Sequence, residues 1–268
     1  MVMNKIQLID LVTISRKVFL HFVAECNFHY REGHDLKQYK QIIAFHRKTG
    51  DIIDLLNQES FCVLVYDTLK KWNMDQRAAK LVSFDDFRAS IIENQRDVAL
   101  IYPFKLEDLG GPHRIMIKQS LEKLFCRLQV MKTTRRLVGV SKTLHFLMPD
   151  LTIPVDSKFT TPYFFGYNKY SKDCEKEFSY FWNIVDKTYS ISKKLNLQQA
   201  DANNEKWNTS IPKLTDNAVI GLDHDLSIFS AEEVLEKVAA MVALGEADRE
   251  FFVNLLNKQK RKIEKGTS

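Results

Sequence analysis

Glycine and proline fill only nine and six of the 268 positions, about half the roughly 12% combined share of ordinary proteins. A sandwich or barrel of short strands needs a turn every ~8–12 residues, and turns are built largely on these two residues. A chain this poor in both is restricted to longer elements. Apolar side chains recur at helical spacing along most of it. Ile117, Leu121, Leu124, Phe125 and Leu128 make one stripe; Phe178, Phe181, Trp182, Val185 and Tyr189 make another. Leu8, Leu11, Val12, Val18, Phe19, Phe22 and Val23 form a less regular third. Ser230 with Glu233 is an S-x-x-E capping box opening a helix that buries Val234, Val238 and Val242, and a last helix carries Phe252, Leu255 and Leu256. The expected class is all-α, with at most a short strand pair in 97–105. At this length residues 1–268 read as a single unit of two interleaved helical subdomains.

Several functional classes fall away. The adjacent glycines are Gly110-Gly111, and neither GxGxxG nor GxxxxGK[ST] occurs, which argues against Rossmann and P-loop nucleotide sites. Cys26, Cys62, Cys126 and Cys174 form no CxxC pair, so they read as buried thiols in a reducing cytosol rather than as a metal framework. The opening Met1-Val2-Met3-Asn4-Lys5-Ile6 meets Asp10 before any long apolar run, and no apolar stretch reaches membrane-spanning length. A cytoplasmic monomer that avoids membranes is expected.

The net charge of +5 is clustered. Residues 113–142 carry Arg114, Lys118, Lys123, Arg127, Lys132, Arg135, Arg136 and Lys142 against the single acid Glu122, a net +7. Lys258, Lys260, Arg261, Lys262 and Lys265 against Glu264 make a second run, read as a solvated helix end. The central run is either a phosphate-facing surface or a solvated face.

Two segments break the helical rhythm. Leu137-Val138-Gly139-Val140 reads as a turn feeding a helix from near Ser141, with Lys142 in its first turn and Pro149 at its end. Ile153-Pro154-Val155 then delivers Asp156, whose apolar neighbours raise its basicity by desolvation. Backbone N–H groups at such a helix start suit a phosphate. The second break is the polar loop Asn203–Pro212, leading into Lys213, Asp216 and Asn217.

Gly139-Val140-Ser141-Lys142-Thr143 followed by Pro154-Val155-Asp156 resembles the helix-hairpin-helix DNA glycosylases, above all their 8-oxoguanine-glycosylase-like branch. In that family a G-V-G-x-K-T/V-A hairpin grips the DNA backbone and a P-V-D aspartate is catalytic. In bifunctional members a hairpin lysine attacks the sugar C1′. The resemblance covers residues 134–165. It implies a helix-hairpin-helix glycosylase-like helical fold, Asp156 and Lys142 as catalytic residues, and double-stranded DNA as partner. It also implies DNA contacts from Val138, Gly139, Val140 and Ser141, flanked by Arg135, Arg136 and Lys158. No cofactor or metal is expected, the iron–sulfur cysteines of some members being absent.

Blander roles stand beside these. Asp156 suits a helix cap near Ser157, Lys142 a phosphate contact, and His145 a satisfied core position. Trp182, Trp207, Phe165 and Asp216 are candidates for a pocket around an extruded base, with core packing as the alternative for the aromatic residues and a buried salt bridge or helix cap as the alternative for Lys213, Asp216 and Asn217. The expected function is excision of a modified or damaged base, in repair or in defence against phage with modified DNA. The alternatives are a hairpin that grips DNA without chemistry and, resting on His34-Asp35, a helical metal phosphohydrolase.

Overall fold

A computed structural model describes residues 8–30, 33–76, 80–166, 168–246, 249–250, 252–254, 256–257 and 261. Met1–Ile6, Leu255 and Lys258, Lys260, Lys262, Glu264 and Lys265 of the second basic run lie outside them. The helices are α1 (Leu8–Val12), α2 (Arg16–His29), α3 (His34–Lys48), α4 (Ile52–Asn57), α5 (Glu59–Lys71), α6 (Phe84–Glu93) and α7 (Gln95–Ile101). They continue as α8 (Arg114–Arg127), α9 (Leu137–Leu147), α10 (Thr160–Phe165), α11 (Cys174–Leu195), α12 (Ile211–Ile228) and α13 (Ala231–Met241). The all-α class holds. Extended pairing among the described residues is one antiparallel bridge, Leu81 with Met131. The 97–105 segment is instead the end of α7 and a loop, because Val98 and Ile101 are buried by helical packing.

Local chemistry sets the helix starts. Ser15, Asp51, Ser83, Asp173 and Ser210 each accept a backbone N–H of the first turn they precede. Ser230 and Glu233 form the expected reciprocal box at α13. Ile117, Leu121, Leu124, Phe125 and Leu128 are all fully buried, as are Phe181 and Val185 of the α11 stripe. The buried apolar residues join one contiguous core running from Leu8 to Leu256. At its centre α2 crosses α12 so closely that a Cβ on Gly221 would run into the Phe22 carbonyl oxygen.

One expectation about the cysteines is corrected. Cys126 and Cys174 form a disulfide, half-buried, across a Cα separation of 5.8 Å, because the end of α8 meets the start of α11. Only Cys26 and Cys62 are buried free thiols, so the four cysteines no longer argue for a reducing compartment. Among the described residues no helix is long and apolar enough to cross a membrane.

Candidate functional site

The segment read as a turn is helical. α9 begins at Leu137, so Gly139 lies inside it and Lys142 falls in its second turn rather than its first. Gly139 is there for space: a Cβ would sit 2.5 Å from Met131 Sδ in the loop that α9 packs beneath. The helix starts early because a distant residue caps it. The carboxylate of Glu177, 1% exposed on α11, accepts the N–H groups of Arg136 and Leu137, and its other oxygen accepts Ser171 N–H. Two of the four N–H groups that a helix start leaves unpaired are thereby satisfied internally. The expected phosphate clamp on this helix start is corrected to that extent.

Ser141, Val140 and Gly139 are buried, which removes them as side-chain contacts to DNA; Val138 is half-buried. Ser141 acts instead as a tie. Its Oγ donates to the Val138 carbonyl and accepts Val155 N–H at 3.1 Å, fastening the Pro154–Asp156 segment alongside α9. The next residue on each strand of this tie then meets its counterpart: Lys142 Nζ lies 3.1 Å from Asp156 Oδ2. The lysine side chain is 6% exposed and the aspartate 27%, so the pair is sunk but reachable. Asp156 Oδ1 accepts the N–H groups of Lys158 and Phe159, capping the turn before α10. Burial pushes this carboxyl up, but Lys142 and those two N–H groups outweigh it and hold it below its ordinary value. The expected rise in basicity is corrected: the apolar neighbours are there, and the charge-stabilising partners win.

The pair forms part of the wall of a cavity of about 200 Å³. Tyr30, Trp72, Phe159 and Trp207 supply its aromatic surface, and Asp35, Asp216 and Asn217 are among its polar groups. A second pair stands opposite in sequence, Lys213 with Asp216 one turn apart on α12, both buried. This is the salt bridge offered as the alternative to base recognition, yet it also faces the cavity. Burial raises the Asp216 carboxyl against the opposing pull of Lys213. The Trp72 ring links the pairs, with Lys142 Nζ 5.7 Å and Lys213 Nζ 5.6 Å from its centroid. Trp207 is held by its indole N–H on the Tyr30 carbonyl and lies 5.2 Å from Lys213 Nζ. His145 is the satisfied core residue: Nδ1–H donates to the Thr152 carbonyl and Nε2 accepts Tyr39 O–H. Burial holds its pKa down at about 3.

The cavity shares Tyr30, Trp72, Asn73, Asp156 and Phe159 with an open cleft of about 830 Å³. Arg135, Lys158 and Lys169 stand along that cleft, with Leu137, Val138 and Gly139. Arg135 and Lys158 are exposed as expected. Arg136 is not a cleft cation: its guanidinium donates to the Leu128 carbonyl at the end of α8. The wider basic run is also less open than its count suggests. Arg114 pairs with Asp186, and Lys123 and Arg127 share Asp97.

Of the four pocket candidates, Trp207 and Asp216 line the cavity. Trp182 is instead buried against Phe178 beneath Arg114 and Lys118, and Phe165 packs on Tyr180. Trp72, Tyr30 and Phe159 belong to the site without having been singled out; all three tryptophans precede an asparagine, so the sequence around Trp72 carries no distinguishing signal, and in the fold Asn73 takes φ 62° at the end of α5. Asp35 is exposed at the cavity, and His34 opens α3. No family profile, curated protein or solved structure matches this chain.

Proposed function

We propose that this chain is a DNA glycosylase of helix-hairpin-helix type, which turns a modified or damaged base out of the duplex and breaks its N-glycosidic bond. The observation that carries this reading is the Lys142–Asp156 pair, 3.1 Å apart in the wall of an aromatic cavity that opens onto a cleft edged by Arg135, Lys158 and Lys169. Arg135 and Lys158 would hold phosphates, and Trp72, Trp207, Tyr30 and Phe159 would offer flat faces to an extruded base. Asp156 is held ionised by its neighbours, so at neutral pH it opposes the positive charge that develops on the sugar as the bond breaks. Lys142 passes a proton through Asp156 to the departing base, and its freed amine attacks C1′. Sugar and lysine are joined as the base leaves with the glycosidic electron pair; the adduct nitrogen then gives a proton to O4′ as the C1′–O4′ bond opens, and the resulting Schiff base permits strand cleavage. Repair of damaged bases and attack on modified phage DNA both use this chemistry.

The test incubates the protein with duplexes carrying oxidised, alkylated and bulky modified bases, with alkali revealing abasic sites. Release of a base by the wild type, reduced at least about 100-fold in Asp156→Asn, supports the reading. An Asp156→Asn protein with full base-releasing activity would overturn it. Salt-dependent duplex binding with no release across the panel would also overturn it, in favour of a hairpin that grips DNA without chemistry.

A further inference from the structure

Away from the cavity, the close packing of α2 on α12 assembles a second group of donors. His29, in the last turn of α2, stacks on His224 of α12 with ring centroids 3.5 Å apart and planes inclined by 20°. One donor atom each from His29, His224 and the neighbouring Asp225 lies within 4.8 Å of the others. Asp225 is fully buried, and its Oδ2 meets Lys237 Nζ at 3.2 Å. Its Oδ1 has no hydrogen-bond partner among the described residues, and neither has His224 Nδ1. A buried polar atom left in that state is costly, and two in adjacent residues of one cluster call for a shared partner. The surroundings match what such a partner needs. One turn back on α2, Glu25 Oε2 lies 3.2 Å from His29 Nε2, the carboxylate–imidazole contact that orients a ligating histidine and fixes its tautomer.

We propose that His29, His224 and Asp225 bind one divalent first-row transition-metal ion of the zinc class. Two imidazoles and a carboxylate without thiolate suit zinc, cobalt or nickel, whereas magnesium and calcium want oxygen donors throughout. Donors around a tetrahedral zinc ion sit about 3.4 Å apart and imidazoles ligate in their ring plane, so the two half-buried histidines turn out of their stack as the ion enters, and water completes the shell. The ion satisfies both orphaned atoms and leaves Lys237 on Asp225 Oδ2. Its role is to brace α2 against α12, the helices that bring Tyr30, Lys213 and Asp216 to the cavity. It carries no step of base excision and stands independently of that reading.

The experiment uses the full chain, free of any histidine tag, stripped with chelator and dialysed. Zinc is titrated by calorimetry, cobalt by visible absorption, and thermal unfolding is followed with zinc, magnesium or no metal. The expected result is one zinc per chain, a tetrahedral cobalt spectrum, and a melting temperature raised by zinc but not by magnesium. His224→Ala and Asp225→Asn each weaken zinc binding by more than about 100-fold, beyond what loss of an outer partner costs. Circular dichroism of the metal-free variants checks that they fold. His29→Ala alters a side chain 27% exposed near a helix end, so it keeps the test decisive if the α12 variants unfold. Failure of the wild type to bind micromolar zinc would overturn the proposal, as would undiminished binding in His29→Ala.

Discussion

Replacing Glu177 with glutamine removes one negative charge and changes nothing else in shape, yet it should cost about 2–4 kcal/mol. The carboxylate is 1% exposed and accepts three backbone N–H groups, two at the start of α9 and one at Ser171. An amide has a single accepting oxygen, and its nitrogen only donates. In the better orientation the oxygen stays on Arg136 and Leu137, and Ser171 N–H faces another donor. That orphaned pair costs about 1–3 kcal/mol. Loss of the charge at the helix start adds about 0.3–1 kcal/mol, rising towards ~2 in a buried setting. For a chain of this size the sum lowers the melting temperature by roughly 4–8 °C. Urea melts followed by circular dichroism read the free energy, and hydrogen exchange at residues 137–139 shows whether the loss is felt at α9. Glu175→Gln, an exposed change two residues away, serves as control and should stay within about 0.5 kcal/mol. A Glu177→Gln protein as stable as that control would refute the claim that this carboxylate sets where α9 begins.

Ser141→Ala leaves the buried Val155 N–H without its acceptor, so chemical denaturation should show a loss of about 1–3 kcal/mol, with base release slowed through kcat as Asp156 loses its register on Lys142. Asp156 is held below its ordinary pKa, so its ionised form is favoured by folding: its contribution to stability is complete above the unfolded carboxylate value near 4 and is lost as pH falls through the depressed folded one. The stability gap between wild type and Asp156→Asn should therefore be flat from pH 8 to 5 and close only below about pH 4, as read by urea melts across pH. Arg135→Ala and Lys158→Ala should each lower the salt slope of duplex binding by about 1, whatever the sequence of the duplex, in fluorescence titrations at several salt concentrations.

The helices were legible where the information is local. The Ile117–Leu128 stripe, the Ser230–Glu233 box, the end of α9 before Pro149 and the irregular run into Asp156 all appear where periodicity and caps place them. The proximity of Lys142 and Asp156 was legible only through the motif they share. The start of α9 was not, because its cap comes from a residue 41 positions away and no local signal marks it. Gly139 misled for a related reason: a glycine required for close approach and one required for a turn look alike in a sequence. Trp182 and Trp72 carry the same chemistry in one dimension, and only the packing of α11 and the end of α5 decides which is sealed and which borders the cavity. The Cys126–Cys174 bond, spanning 48 residues, lies beyond any spacing rule. Nothing in the sequence marks the His29 cluster, because His224 and Asp225 become neighbours of α2 only through the crossing that Gly221 allows.

The central proposal is that Lys142, set 3.1 Å from Asp156, attacks the sugar of a DNA substrate. Borohydride added during incubation with a duplex carrying a base that the protein releases reduces a lysine–sugar Schiff base to a stable adduct, which peptide mapping by mass spectrometry locates. The account predicts a covalent protein–DNA species joined through Lys142, absent from Lys142→Gln and strongly reduced in Asp156→Asn. Base release that proceeds with no trapped adduct, or an adduct on any other residue, would contradict it.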